Sequence, residues 1–408
     1  MRKRLKEICD YISRGATPDY VDESPNKVMN QATFSKGFID ESNVRFSSKA
    51  PEYAQIHKGD LLMASTGGGV LGKVAYYDKN ESDFYADSHV SILRNSKGKN
   101  SMKFLYYWFS TRYDEINETM VKGSTNQTEL QRNYLVNYEI DIPSLEVQQR
   151  IVSYLDDKTA KIDKAVSLLQ KKRDAYTRLK TSIINRAVTR GLNTNVKLKD
   201  SGVDWIGMIP ENWEVLRLKD VSILYPMCKR NSYSGNVSFV PMESLRCGEI
   251  DLKEIPFEYA LGKYNYFENG DLLIAKVTPC FENGNISLAD GLLQGIGFGS
   301  SEIFVLRTTP KQLLNKFMFY VSFTESFKAR ACSTMHGVGG LKRIDPLFMR
   351  TYELSIPPIT EQRTIADYLD THCTRIDHAI SIVDKQIDAY TRLKKSLINE
   401  VVTGKRKV

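Results

Sequence analysis

Residues 142–166 read IPSLEVQQRIVSYLDDKTAKIDKAV, and residues 356–380 read IPPITEQRTIADYLDTHCTRIDHAI. They align without a gap at an offset of 214, and over the longer stretches 142–191 and 356–405 the chain is identical at 24 of 50 positions. The block Asp174-Ala175-Tyr176-Thr177-Arg178-Leu179-Lys180 returns unchanged as Asp388 to Lys394. A repeat of this quality decides the architecture before any single residue does. Each copy reads as one long helix. Pro143 and the pair Pro357-Pro358 stand where a helix begins, the position that tolerates proline. Glycine is absent from 144–190 and 341–403, and Gly191 and Gly404 then supply stop signals. Apolar residues recur every seven positions: Leu155, Ile162, Leu169, Tyr176 and Ile183, then Leu369, Ile376, Val383, Tyr390 and Leu397. That period marks a coiled-coil seam. About 44 residues at helical rise make a rod of roughly 65 Å. Such a helix cannot stand alone in water; the simplest partner for each copy is the other, antiparallel, in a pseudo-two-fold arrangement, and the alternative is two separate helices, each packing on its own domain.

Outside the helices the repetition is fainter. Arg4-Leu5-Lys6 returns as Arg217-Leu218-Lys219, and Gly59-Asp60-Leu61-Leu62 as Gly270-Asp271-Leu272-Leu273. The stretch from Asp87 to Arg94 is echoed from Ser300 to Arg307, and Lys103-Phe104 by Lys316-Phe317. Short alternating runs, such as Lys73 to Tyr77 and Glu302 to Leu306, are separated by Gly/Asn/Pro turns. The expected fold is α+β: two globular α/β domains joined by two long antiparallel coiled-coil helices. The expected divisions are domain 1–141, helix 142–191, linker 192–213, domain 214–355 and helix 356–408.

Bulk properties narrow the function. An apolar fraction of 41% and an aromatic fraction of 10% describe a globular chain. No apolar run approaches the ~18 residues of a membrane span, and no signal-peptide core follows Met1-Arg2-Lys3-Arg4, so a cytoplasmic protein is expected. The six cysteines, Cys9, Cys228, Cys247, Cys280, Cys332 and Cys373, show no C-x-x-C spacing and are expected as free thiols. The net charge of +8 is carried by the helical repeats: 144–191 holds eleven Lys/Arg against five Asp/Glu, and 358–408 nine against seven. A basic balance permits nucleic acid without demanding it.

Several motifs mimic chemistry. Gly67-Gly68-Gly69-Val70-Leu71-Gly72 satisfies G-x-G-x-x-G, but Lys73-Val74-Ala75-Tyr76-Tyr77 follows as a strand, where a dinucleotide site needs a helix N-terminus. Read as a P-loop, the stretch places Val74 where a Ser/Thr hydroxyl must hold magnesium. A surface hairpin, or a loop offering backbone N–H groups to phosphate, remains. The five histidines do not pair at ligand spacing, no G-x-S-x-G elbow occurs, and the N-P-P-[YF] or D-P-P-[YF] tetrad of amino-group DNA methyltransferases is missing. Asp156-Asp157 points about 100° apart on a helix and reads as a solvated charge cluster. No catalytic residue, metal or cofactor is expected.

Taken together, these features resemble the specificity subunits of type I restriction–modification systems, across essentially the whole chain. The most specific parts are the two I-P-x-(L/I)-x-x-Q-x-x-I helix starts at 142–156 and 356–370, and the central run KDSGVDWIGMIPENW at 199–213. The loop Ser65 to Val74 and the segment Gly123-Ser124-Thr125-Asn126-Gln127 also match. Two departures stand out. The first domain lacks the Trp-Ile-Gly…Pro-x-x-Trp lead-in of the second, and Lys276-Val277-Thr278-Pro279-Cys280 replaces the glycine-rich hairpin there. The resemblance implies a non-catalytic DNA-binding subunit with two target-recognition domains, each reading half of an interrupted double-stranded DNA site. It implies docking of two modification (methyltransferase) subunits and of restriction subunits on the paired helices. The alternative is a non-enzymatic coiled-coil protein-interaction adaptor.

Polar and basic residues in the predicted loops are the candidates for DNA contact. In the first domain these are Arg14, Thr17, Ser65, Thr66, Lys73, Lys122, Asn126 and Gln127. In the second they are Lys229, Arg230, Arg246, Lys276, Thr278, His336, Lys342 and Arg343. Ile151, Val152, Ile365 and Ala366, near the helix starts, are expected to be exposed and to receive a partner subunit.

Overall fold

A computed structural model describes residues 1–122, 128–228, 233–338 and 340–408. Two helices dominate it, Leu145–Arg190 (46 residues) and Ile359–Val402 (44 residues). The chain divides into two compact units, 1–170 with 385–408, and 171–384. Each unit therefore holds one globular domain and a part of each long helix.

The domains share one plan. In the first, an antiparallel sheet runs in the order Tyr11–Arg14, Val90–Arg94, Leu61–Ala64, Val74–Tyr76. In the second the order is Ser222–Leu224, Ile303–Thr308, Leu272–Ala275, Ile286–Leu288. The strands Leu61–Ala64 and Leu272–Ala275 are continuous apolar runs because all four residues of each are buried. Each is entered by a Gly-Asp turn whose glycine has positive φ, +95° at Gly59 and +90° at Gly270, a conformation costly for other residues. A second sheet in each domain carries one parallel pair, Lys27–Met29 with Phe84–Ala86 and Asn236–Val240 with Ile296–Gly299. A third element, a two-stranded ribbon, ties the start of each domain to the segment entering its long helix: Arg2–Arg4 on Glu139–Asp141, and Glu214–Arg217 on Glu353–Ile356.

Each unit pairs the two long helices through its own contacts. In the first unit Ile151, Leu155 and Ile162 share a core with Leu397, Ile398, Val401 and Val402, and Lys394 pairs with Asp163 at 2.7 Å. In the second, Ile184, Ala187 and Val188 join Ile365, Leu369 and Cys373 in one core. There Arg173 pairs with Asp384 at 2.8 Å and Lys180 with Asp377 at 2.7 Å. Seven residues forward on one helix meet seven backward on the other, so the pairing is antiparallel. The repeat offset of 214 converts Lys180–Asp377 into Lys394–Asp163, so one ionic contact is built twice. Such exposed pairs contribute little to stability.

The expectation that Ile151, Val152, Ile365 and Ala366 are exposed is wrong. Ile151 is 6% exposed, Ile365 0% and Ala366 1%, and Val152 packs on the first core. The helix starts are where each helix leaves its domain, so their apolar face is consumed by that domain. Asp156 is also more than a solvated charge. It accepts hydrogen bonds from Lys103 Nζ at 2.8 Å and Tyr107 Oη at 2.6 Å, whereas Asp157 makes an i,i+4 pair with Lys161. Its repeat mate Asp370 receives Tyr320 Oη and Lys316 in the same way.

Candidate nucleic-acid interface

One edge of the antiparallel sheet brings the predicted residues together in each domain. In the first, the chain leaving Leu61–Ala64 bonds sideways to two neighbours: Ser65 N–H donates to His89 O at 2.8 Å, and Leu130 N–H donates to Ser65 O at 2.8 Å. Thr66 bridges Glu129, which in turn pairs with Lys122 across a short hairpin. In the second domain Lys276 N–H donates to Glu302 O at 2.9 Å, and Ile344 N–H to Lys276 O at 3.0 Å. Val277 bridges Arg343, and Arg343 bridges His336. The backbone ladder is the same in both domains.

The side chains hung on that ladder are not. Ser65 is matched by Lys276, Thr66 by Val277, His89 by Glu302, Lys122 by His336, and Glu129 by Arg343. The last exchange reverses charge. In the first domain Arg14 forms an ion pair with Glu129 and donates to Leu130 O at 3.0 Å, while Thr66 Oγ1 contacts His89 Nδ1 at 2.7 Å and Gln31 Oε1 at 3.1 Å. In the second, Arg343 grips Glu302 with Nε and Nη2 at 2.9–3.2 Å. That guanidinium holds the Glu302 carboxyl below its usual range. Burial pulls the Lys276 ammonium below the usual lysine value, against the opposing pull of Glu302, and it lies over the rings of Tyr225 and Phe304 at 5.4 and 5.2 Å. Burial likewise raises Asp87, whose Oδ1 accepts from His89 N–H at 2.8 Å.

The structure sorts the predicted DNA contacts. Arg14, Thr66, Lys276, His336, Lys342 and Arg343 gather at the edge; Thr17 is exposed three residues beyond Arg14. Two belong to the edge but face inward. Ser65 is fully buried with its hydroxyl 2.6 Å from that of Ser91. Thr278, 9% exposed, donates to Gly340 O at 2.7 Å and accepts from Lys342 N–H at 2.9 Å. Both hydroxyls are engaged by the protein itself. Lys73 is turned away, its ammonium 2.6 Å from Ser35 O. Arg246 belongs to a different turn, where its guanidinium donates to Leu245 O. Lys122 contributes backbone pairing; its side chain, like Asn126, Gln127, Lys229 and Arg230, lies outside the described residues. The glycine loop is a hairpin turn in which Gly72, at φ +85°, has no room for a Cβ: one would stand 2.8 Å from Ile116 Cγ2.

Sequence reasoning missed His89, Glu129 and Glu302. A signal existed: the offset of 214 that aligns the helices, carried back to the preceding segment, sets Glu129 opposite Arg343.

Among the described residues no cluster of His, Cys, Asp and Glu could hold a metal ion, and no helix is long and apolar enough to cross a membrane. A family model described as the type I restriction modification DNA specificity domain matches residues 1–171 and 210–383. The chain is 24% identical to the putative type I restriction enzyme MjaX specificity subunit of Methanocaldococcus jannaschii, over 100% of this chain and 93% of that one. The MjaVIII specificity subunit of the same organism is 25% identical over 75% of this chain and 71% of its own. A chain solved in work on complex assembly and conformational transition of the type I R-M system superposes with a TM-score of 0.70 at 15% identity, covering 98% of this chain and 97% of that one.

Proposed function

The chain belongs to the type I restriction–modification DNA specificity family, and on that premise we propose that its domains, 1–141 and 214–355, each read one half of an interrupted DNA sequence. The observation that carries this is the contrast between frame and edge. Buried contacts that hold the fold are copied between domains, as in Asp60–Arg94 and Asp271–Arg307. At the edge the backbone ladder is copied and its side chains are exchanged. Two readers of different base sequence need that combination, because hydrogen-bond donors and acceptors on base edges must be matched while the approach to the groove stays fixed. The paired helices act as the spacer between the readers and carry two modification subunits, to which restriction subunits are added. The chain supplies no catalytic group itself.

Deleting the gene is expected to erase one two-part adenine-methylation motif from the genome of the source organism. An unchanged methylome, in cells that express the partner methyltransferase, would instead favour a protein-adaptor role. At the level of one residue, Arg343→Ala is expected to weaken binding by about 1–3 kcal/mol and to relax discrimination at a single position of one half-site. Equal weakening for all sequences in a binding-selection assay would mean that Arg343 holds phosphate instead.

A further inference from the structure

At the edge of the second domain, large apolar side chains stand in water. Val338 is 90% exposed and Leu341 55%. Both lie between His336 and Arg343, whose backbones exchange hydrogen bonds of 3.1 and 2.9 Å, and Leu341 N–H donates to Val338 O at 3.3 Å. Met227, also 90% exposed, follows Tyr225 on the adjoining strand end. Scattered surface apolar residues need no explanation; Val338 and Leu341, held in one turn of the candidate interface, mark a contact surface. Nor is the tip adrift, since the buried Thr278 hydroxyl clasps Gly340 O and Lys342 N–H beneath it.

The setting selects the occupant. Lys276, Lys342 and Arg343 stand on the same ladder as these side chains, with Glu302 paired to Arg343, a basic balance suited to DNA. Within the major groove, the apolar group among the base edges is the C5-methyl of thymine. We propose that Val338 and Leu341 contact the C5-methyl of a thymine in the half-site read by the second domain. This rests on the DNA-reading function proposed above and adds a specificity contact that carries no hydrogen bond.

Uracil tests it directly, because it removes the methyl and keeps every hydrogen-bonding group. With the full-length chain assembled with its modification subunit, each thymine of that half-site is replaced in turn. One replacement is expected to weaken binding about fourfold, the value of one buried methyl. The double variant Val338→Ala/Leu341→Ala, altered at exposed positions that leave folding intact, is expected to bind thymine and uracil duplexes equally. Uracil tolerated at every position, or a half-site without thymine, overturns the proposal. So does a double variant that loses the modification subunit while retaining the thymine preference, which would make the tip a protein contact. If the unaltered complex shows no sequence preference at all, the DNA-reading function itself fails.

Discussion

Asp60→Ala and Asp271→Ala are each expected to destabilise their own unit by about 3–5 kcal/mol, the range for removing one partner of a buried ion pair. Asp60 is fully buried and receives Arg94 through Nε and Nη2, both at 2.7 Å, together with His57 N–H at 2.7 Å. Asp271 repeats the arrangement with Arg307 at 2.8 and 2.7 Å and Glu268 N–H at 2.8 Å. Each carboxylate thus closes the turn into the central strand and neutralises a guanidinium whose own surroundings are largely protein. Alanine leaves that cation and a turn N–H unanswered. For a unit of about 200 residues the loss corresponds to a fall in Tm of roughly 10 °C or more. Thermal and urea unfolding measure it. A loss below ~1 kcal/mol would show that water reaches Arg94 or Arg307 and that the pair fixes geometry without adding stability. Replacing both partners by apolar residues is expected to recover part of the loss, since the cost lies in the orphaned charge.

The long helices were legible because an apolar residue every seventh position over some 44 residues has no other reading. Their antiparallel pairing followed from matched length. The sheets were legible only as scattered strands: strand order depends on contacts such as Leu62 with Ile92, thirty residues apart, which no local pattern encodes. At the candidate interface, residue type nominated Arg14, Thr66, Lys276 and Arg343 alike with Ser65 and Thr278, whereas burial sets the last two apart. A hydroxyl reads alike in sequence whether it faces solvent or a neighbouring strand. Ile151 and Ile365 failed for a related reason. An apolar stripe states that something covers it, and here the chain's own domains do.

Adjacent glutamines show how far apart neighbours in sequence can be in consequence. Gln148 is fully buried: its Oε1 accepts Ser101 N–H at 2.7 Å, and its Nε2 donates to Pro143 O at 2.9 Å. Its repeat mate Gln362, also fully buried, accepts Leu314 N–H at 2.8 Å and donates to Gln312 O and Pro357 O at 2.8 and 2.9 Å. Each side chain binds the first turn of a long helix to the loop that enters the domain's own aromatic helix. It therefore fixes the angle at which the domain leaves the rod. Gln148→Ala or Gln362→Ala is expected to cost about 3–4 kcal/mol, from an orphaned buried N–H, two unanswered carbonyls and the cavity left behind. Gln149→Ala, at an exposed position one residue on, is expected to change stability by no more than ~0.5 kcal/mol. Glutamate at 148 or 362 keeps the shape but turns a carboxylate oxygen toward carbonyl oxygens, so it is expected to fare no better than alanine. If unfolding showed the 148 and 149 variants to be equivalent, the helix starts would be held by apolar packing alone. If stability fell as expected and methylation of the two-part motif fell with it at temperatures where the fold persists, the glutamines would be setting the angle between reader and rod.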